Sequence, residues 1–314
     1  MNYPNSRFQF RSRKKKKSRK LLILIAGSIL LFVTVISVFV FRDSIPFIQT
    51  NEAEDVDLLA LWNEGNYTLI IEECNTILIE EPMNGTALVL SGFSYFYHAL
   101  SQNSLEEKIR LLDISIAHLR KSELVAEAPL ARQVDYVLGK AYYLKGKFYA
   151  DLAIQYLETA LESGFINDDL YEYLGLSYSQ IGDYENSIHY FLLALEENES
   201  DLLFHTLGRT YYIMENFGAA EEYLTRAVEI TEDPELEEKC VSLLAEIYMN
   251  SEEYERAEEQ YRRLLEIDPR SADVHFYLGE LYEEIGDTVR ARYEWREALR
   301  INPDHYGARL RYYQ

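Results

Sequence analysis

A short apolar pattern returns five times between residues 138 and 282. In each instance a leucine is followed by a glycine or alanine, and a tyrosine stands three residues after that small residue. The small residues are 36, 33, 37 and 34 residues apart. Because positions three and four apart share one face of a helix, each instance predicts a helix with an apolar stripe. The instances are Leu138, Gly139 and Tyr142; Leu174, Gly175 and Tyr178; Leu207, Gly208 and Tyr211; Leu244, Ala245 and Tyr248; and Leu278, Gly279 and Tyr282.

A second apolar pattern follows each of these helices after a polar or glycine-containing turn. A small residue is followed by a large one four positions later and by another apolar residue at the seventh, which again marks one face of a helix. We expect the glycine or alanine of the first helix to let a neighbouring helix approach closely, with the tyrosine ring filling the gap above it. The second patterns are Ala153, Leu157 and Ala160; Ser187, Phe191 and Ala194; Ala220, Leu224 and Ala227; Ala257, Tyr261 and Leu264; and Ala291, Trp295 and Ala298.

Helix pairs that return about every 34 residues resemble the tetratricopeptide repeat family. The resemblance implies an all-α protein, a right-handed α-α solenoid whose helix pairs bury one continuous core. A helical bundle with coincidental periodicity is the alternative, and five concordant units argue against it. We interpret residues 51–131 as degenerate repeat-like units, residues 132–305 as five repeat units, and residues 306–314 as a C-terminal tail. The five units span residues 132–167, 168–200, 201–237, 238–271 and 272–305.

The N-terminal residues have a different composition. Residues 1–20 contain nine lysines and arginines and no acidic residue, and the next 21 residues, Leu21–Phe41, carry no charge. At about 1.5 Å per residue this segment would span about 31 Å, close to a hydrocarbon core of about 30 Å. We therefore expect a basic cytoplasmic tail at 1–20, a transmembrane helix at 21–41 and a linker at 42–50. The remaining chain would face the extracytoplasmic side, which for a bacterial inner membrane is the periplasm.

Two other interpretations of this segment are weaker. A cleaved signal peptide would have a shorter apolar region and a small-x-small cleavage site, which the end of the run at Val38–Arg42 does not offer. The basic run could instead bind nucleic acid. Beside an apolar span, it is more simply a topology signal that also attracts anionic lipid. We therefore expect no nucleic-acid partner.

The rest of the chain is strongly acidic. Residues 44–314 contain 21 basic and 52 acidic residues, a net charge of −31. This charge fits a well-solvated helix surface, a preference for basic partners, or repulsion from anionic headgroups, and the sequence leaves these open. Cys74 and Cys240 lie too many repeats apart to form a disulfide in a solenoid.

No catalytic motif is present in the sequence. The six histidines are scattered, and none is convincingly paired with a second metal ligand at helical spacing. We therefore expect no enzymatic activity, no metal and no cofactor. An enzyme with an unrecognised site in residues 85–130, near His98 or His118, remains an alternative.

The family resemblance also implies where a partner would bind. Tetratricopeptide repeat proteins usually bind partners on a concave face lined by the first helices, so outward-pointing residues beside the apolar stripe would form a groove. This groove would have aromatic residues, a basic centre at Lys140 and Arg209, and an acidic C-terminal end; exposed aromatic residues and arginine dominate binding hot spots. The Lys and Asn clamp that some members use for a peptide's terminal carboxylate is absent. The candidate groove residues are Tyr136, Lys140, Tyr143, Glu172, Leu176, His205, Arg209, Tyr212, Glu246, Phe276 and Glu280.

The sequence thus predicts a membrane-anchored scaffold or adaptor that binds a protein or peptide partner outside the cytoplasm. The alternative is a structural subunit of an envelope complex, or an assembly protein that associates with itself. The tail at 306–314 is short for a capping helix and would leave tyrosines exposed. Dimerisation through that end would produce a homo-oligomer.

Overall fold

The computed structural model describes residues 58–125 and 129–313, and in these residues every regular element is a helix. A short 3-10 turn, Lys147–Tyr149, precedes α6. The α-helices are α1 (Leu58–Asn63), α2 (Tyr67–Glu80), α3 (Gly85–Leu100), α4 (Leu105–Ser122), α5 (Ala131–Leu144), α6 (Ala150–Glu162), α7 (Leu170–Ile181), α8 (Tyr184–Glu197), α9 (Asp201–Ile213), α10 (Phe217–Ile230), α11 (Pro234–Asn250), α12 (Tyr254–Ile267), α13 (Ala272–Glu284), α14 (Thr288–Ile301) and α15 (Tyr306–Tyr312).

The helices form a stack of pairs. The most extensive contacts join α3 to α4, α5 to α6, α7 to α8, α9 to α10, α11 to α12, and α13 to α14. The second helix of each pair also contacts the first helix of the next pair, for example α6 with α7 and α10 with α11. Contacts therefore run from neighbour to neighbour along the chain, as in a solenoid. The prediction of an all-α solenoid is confirmed for the described residues.

The predicted membrane helix, Leu21–Phe41, lies outside the described residues. The basic tail before it and the linker at 42–50 lie outside them as well. Among the helices that the structure does describe, none combines the length and the apolar character needed to cross a membrane.

In four of the five repeats, the glycine of the first helix is packed against the large residue of its own second helix. A methyl group at Gly175 would lie 2.5 Å from Cδ1 of Phe191, and one at Gly139 would lie 2.5 Å from Cγ of Leu157. The prediction of a close helix approach is therefore confirmed. The expectation that the tyrosine ring fills this gap is wrong, because the large residue of the second helix fills it. The tyrosine ring instead stacks on a tyrosine of the second helix: the ring centroids of Tyr178 and Tyr190 are 5.5 Å apart.

The turns between paired helices use the left-handed backbone region. Gly182 and Gly286 adopt φ angles of 83° and 80°. At the corresponding turns, Glu215 and Glu252 adopt a φ of 58°, although a side chain makes this conformation less favourable. The turn geometry is thus kept where the glycine is missing.

The C-terminal tail forms the short helix α15, which packs against the last pair. Gly307 lies so close to Phe276 that a methyl group would be 2.7 Å from the ring, and Ala308 is fully buried. His305 caps the helix, since its Nδ1 accepts the Ala308 N–H at 3.0 Å. The expectation of a short tail with exposed tyrosines is confirmed: α15 has 7 residues, and Tyr306 and Tyr313 are 80% and 77% exposed.

Candidate functional site

The eleven candidate groove residues lie on the first helices α5, α7, α9, α11 and α13. We call this set the first-helix surface. It has three parts: one on α5 and α7, one at the cleft between α9 and α11, and one towards the C-terminal end. These parts differ in the burial of their side chains and in how many of their charged groups form ion pairs within the chain. None of the eleven has been tested as a partner contact, so their binding role stays a prediction.

The part on α5 and α7 is an internal network rather than an open surface. Tyr136 is only 3% exposed, which corrects the expectation that it points outward. Its hydroxyl donates a hydrogen bond to Asp169, and Lys140 Nζ lies 2.9 Å from Tyr136 Oη and 2.6 Å from Asp169 Oδ2. The Lys140 side chain is only 12% exposed. Lys140 is therefore bound to Asp169 and cannot serve as a freely exposed basic centre.

Asp169 has a different role from the one its position suggests. It stands before the first residue of α7, where an aspartate usually caps the helix, but its side chain makes no cap hydrogen bond. Its carboxylate instead receives the Tyr136 hydroxyl and the Lys140 ammonium from the preceding repeat. Burial, followed by the charge of Asp169, raises the pKa of Tyr136 well above its usual range, so the phenol stays protonated.

An aromatic pair continues this part of the surface. Lys140 Nζ lies 4.5 Å from the ring centroid of Tyr173, a cation–π distance, and Tyr143 meets the same ring edge-on at 5.2 Å. Tyr173 is not among the groove residues expected from the family resemblance, because it lies one position after Glu172 in the sequence. Glu172 is half-buried, and burial followed by the charge of Asp169 raises its pKa. Leu176 packs against the core cluster that contains Phe191.

The middle part contains an open cleft between α9 and α11. The cleft has a volume of about 530 Å³ and is lined by His205, Arg209, Glu235, Glu238, Lys239, Ser242 and Leu243. His205 is only 9% exposed, contrary to the expectation that it points outward, and its Nδ1 has no hydrogen-bond partner among the described residues. Burial, with smaller contributions from Arg209 and Lys239, lowers the pKa of His205, which favours the neutral ring.

Arg209 is the free basic group of this cleft. It is exposed and forms no ion pair with any residue that the structure describes. Lys239, in contrast, pairs with Glu235 at 2.8 Å on its own helix. The basic centre predicted from Lys140 and Arg209 is thus reduced to Arg209.

The C-terminal part of the surface is largely occupied by contacts within the chain. The Tyr212 hydroxyl donates to Glu246 Oε2 at 2.7 Å, and burial followed by this hydrogen bond raises the pKa of Tyr212 to about 12. Arg311 from α15 lies 3.3 Å from Glu280. The Phe276 ring is covered by α15, with its centroid 5.0 Å from that of His305. The acidic end expected here is therefore partly neutralised.

One serine–histidine contact falls in the region considered for an enzyme site. Ser91 Oγ lies 2.7 Å from His118 Nδ1, but Ser91 is fully buried. Burial also lowers the pKa of His118. A substrate has no access to this serine, so the pair acts as a hydrogen bond between α3 and α4. No group of three potential metal ligands occurs within residues 58–125 and 129–313.

Sequence and structure comparisons identify the repeats. Residues 242–306 match one model of the tetratricopeptide repeat, and residues 169–201 and 203–234 match another. No curated protein shows significant similarity to the chain.

Several solved structures resemble the fold. The C-terminal part of a TPR repeat-containing protein from Cytophaga hutchinsonii is 17% identical, with a TM-score of 0.63, and the match covers 81% of this chain and 97% of that one. YrrB, described as a TPR protein with an unusual peptide-binding site, is 26% identical with a TM-score of 0.48, over 58% of this chain and 91% of that one. PilF of Pseudomonas aeruginosa is 16% identical with a TM-score of 0.49, over 70% and 95%.

Together, the matched residues and the stack of helix pairs confirm the predicted resemblance. Tetratricopeptide repeats generally act as scaffolds for protein–protein interaction rather than as catalysts. This chain therefore contains tetratricopeptide repeats, arranged as an all-α solenoid.

Proposed function

We propose that this protein is a membrane-anchored scaffold that binds a segment of a partner protein along its first-helix surface, outside the cytoplasm. The observation that carries the binding proposal is the cleft beside Arg209. There an unpaired, exposed guanidinium adjoins a buried imidazole whose Nδ1 has no partner among the described residues.

These groups suit an acidic side chain of the bound segment. A guanidinium can donate two parallel hydrogen bonds to one carboxylate. The neutral His205 ring, with its proton on Nδ1, can donate a third hydrogen bond. That bond would remove the free-energy cost of leaving the buried Nδ1 without a partner. Tyr143 and Tyr212, which stand at the matching position of their repeats, would offer aromatic contacts along the same surface.

The membrane part of the proposal is supported by the sequence of the N-terminal residues. An uncharged run at 21–41 follows nine basic residues and would leave residues 42–314 on the far side of the membrane. The net charge of −31 on residues 44–314 would also repel an anionic bilayer surface. The anchor would raise the local concentration of the repeats at the membrane.

The binding proposal can be tested by peptide selection. The full chain, held in detergent micelles, is used to select displayed random peptides of 12 residues. We expect the enriched peptides to carry an acidic residue, and Arg209→Glu to weaken their binding about tenfold or more, because a charge-assisted hydrogen bond contributes about 1.5–3 kcal/mol. Arg110→Glu is the matched control, since Arg110 is an exposed arginine on α4 outside this surface. Equal loss from both variants, or enrichment without acidic residues, would contradict the proposal.

The topology is tested separately with a reporter. Alkaline phosphatase fused to the C-terminus should be active in intact cells, since it folds only outside the reducing cytoplasm. Deletion of residues 21–41 should abolish that activity. Activity of a reporter that works only in the cytoplasm, fused at the same position, would contradict the proposed topology. It would leave the binding proposal unaffected.

A further inference from the structure

Two helix pairs depart from the regular repeat at the turn between their helices. In the four pairs from α7–α8 to α13–α14, the small residue of the first helix stands 12 residues before that of the second helix. The spacing is 14 residues from Gly139 to Ala153 on α5 and α6, and 23 residues from Gly92 to Ser115 on α3 and α4. Ser115 is the matching residue of α4, since its hydroxyl donates to the Gly92 carbonyl oxygen at 2.7 Å. The additional residues of both pairs lie at the turn.

The turn between α3 and α4 projects furthest from the stack. α4 begins ten residues before Ser115, whereas α6, α8, α10, α12 and α14 each begin three residues before their small residue. At about 1.5 Å per residue, the seven further residues lengthen α4 by about 10 Å. Lys145 at the end of α5 is paired with Asp113, so the two helical turns that precede Asp113 extend past that end. We call the two turns, residues 100–105 and 145–149, the projecting edge.

The projecting edge holds apolar side chains in solvent. Phe148, in the lengthened turn between α5 and α6, is 98% exposed. Leu105, the first residue of α4, is 72% exposed, and Leu100, the last residue of α3, is 42% exposed. These residues belong to turns that are longer than those of the pairs with the 12-residue spacing, so the repeat pattern does not account for their exposure. Exposed apolar side chains grouped in this way indicate an interaction surface.

The charge of the projecting edge differs from that of the opposite edge of the stack. Residues 100–105 are uncharged, and residues 145–149 contain two lysines and no acidic residue; of these, Lys147 is exposed. In residues 105–112, the first two helical turns of α4, two glutamates are balanced by one lysine and one arginine. The connections from each second helix to the next first helix, from α2–α3 to α14–α15, lie at the opposite edge and contain ten acidic residues and one arginine. A negatively charged surface is therefore repelled less by the projecting edge than by the opposite edge.

We infer that the projecting edge inserts into the surface of the phospholipid bilayer in which residues 21–41 anchor the chain, an inference that rests on the proposed anchor. Phe148 and Leu105 enter the interfacial region, where apolar side chains gain from burial, and Lys147 contacts lipid phosphates. The acidic opposite edge then points away from the bilayer.

Two features favour a lipid surface over a protein as the occupant. The two turns form a projection rather than a groove, and a projecting apolar tip can enter a bilayer without a shaped pocket. The 16 residues of 42–57 can also reach at most about 50 Å, which keeps the repeats close to the membrane.

Fluorescence of a label at residue 148 tests this inference. The full chain with Phe148→Cys is labelled with the environment-sensitive dye nitrobenzoxadiazole and reconstituted in vesicles of phosphatidylcholine and phosphatidylglycerol. Cys74 and Cys240 are buried, and the labelled wild-type chain measures any background. Ile166→Cys is the matched control, since Ile166 is exposed at the other end of α6. We expect lipids that carry a spin label on the acyl chain to quench the dye at residue 148 about twofold or more above the dye at residue 166. Aqueous iodide should show the reverse preference.

A second variant tests the side chains that carry the inference. Lys147→Glu with Leu105→Asp, both at exposed positions, should lower the lipid quenching of the dye at residue 148 about twofold or more, because charge disfavours insertion. Ile166→Asp should leave that quenching unchanged. Neither variant should weaken peptide binding at Arg209, which separates this inference from the proposed partner binding.

Three results would overturn the inference. The dyes at residues 148 and 166 could be equally open to iodide, or Lys147→Glu with Leu105→Asp could leave the quenching unchanged. Protection of residue 148 in native membranes but not in the purified vesicles would show that the edge binds a protein instead. A chain that does not float with the vesicles would reject the anchor together with this inference, whereas a chain that floats with residue 148 open to iodide would reject this inference alone.

Discussion

At the scale of single residues, the distance between the two helices of a repeat depends on one small side chain. Glycine stands at this position in four of the repeats that carry the Leu-Gly-x-x-Tyr pattern, and Ala245 in the other. Opposite the glycines are the large residues of the second helices. Gly279 lies so close to Trp295 that an added methyl group would overlap the indole nitrogen. The space that a methyl group on the first helix would occupy is thus filled by a large side chain of the second helix.

The substitution Gly175→Ala should therefore destabilise the protein. The added methyl group would lie 2.5 Å from the Phe191 ring, which is fully buried and has little room to move. We expect the free energy of unfolding to fall by about 1–2 kcal/mol, because the cost of overpacking exceeds the gain in helix propensity. Urea denaturation measures the change. Gly218→Ala is the control, since no atom lies within 4 Å of the added methyl group and its stability should not fall.

Asp135 makes a second residue-scale prediction. Burial, with a contribution from Glu123, raises the pKa of Asp135 from its ordinary value of 3.8 to about 6. Because the folded state favours the protonated acid, the wild type should lose stability as pH rises from about 4 to about 6 and keep that loss above pH 6. Asp135→Asn removes the charge and should stabilise the protein at pH 7 by about 1 kcal/mol or less, since Asp135 is only half-buried and solvent screens it.

Thermal unfolding of wild type and Asp135→Asn across pH 4 to 8 would test this. The two curves should converge near pH 4 and separate as pH rises. An advantage for Asp135→Asn that is the same at pH 4 and pH 7 would show that the effect is not due to the ionised carboxylate.

Much of the residue-scale packing could be predicted from the sequence, because small and large residues recur at fixed positions. Whether Phe191 or Tyr178 fills the space beside Gly175 could not be predicted from the sequence. Both lie on the correct faces of their helices, and only the crossing of the two helices decides which reaches Gly175. The burial of Tyr136 could not be predicted either, since its hydroxyl is held by Asp169 at the start of the next repeat.

At the scale of helices, adjacent repeats are joined by polar contacts as well as by the core. Lys140 and Tyr136 on α5 both reach Asp169 at the start of α7. Residues so far apart in sequence show no local periodicity, so the sequence gives no sign that Asp169 contacts α5. Helix positions themselves were predictable, since each follows from its apolar stripe and its turn.

The Lys140–Asp169 pair should contribute to stability through a specific interaction. A double-mutant cycle with Lys140→Met and Asp169→Asn measures the coupling between the two side chains. We expect about 1–2 kcal/mol, because Lys140 is largely buried and Asp169 is its ion-pair partner among the described residues. The same cycle on Arg110 and Glu107, an exposed pair on one helix, should give about 0.5 kcal/mol or less. Equal coupling for the two pairs would contradict a structural role for the Lys140 network.

At the scale of the whole molecule, the repeats are acidic overall but contain stretches with a net positive charge. The net charge is −31 for residues 44–314, yet residues 288–313 carry +3. The overall charge could be read from composition. The pairing of Arg311 with Glu280 could not, because it depends on where α15 docks. What remains open along the first-helix surface is the cleft at Arg209.

The central claim is that a partner protein binds the first-helix surface. The most direct measurement is photo-crosslinking in native membranes, with a benzophenone amino acid at Tyr212 or, as a control, at exposed His189 on α8. We expect a discrete crosslinked protein from Tyr212, lost when Arg209→Glu is added, and none from His189. Crosslinking from His189 with none from Tyr212 would contradict the account.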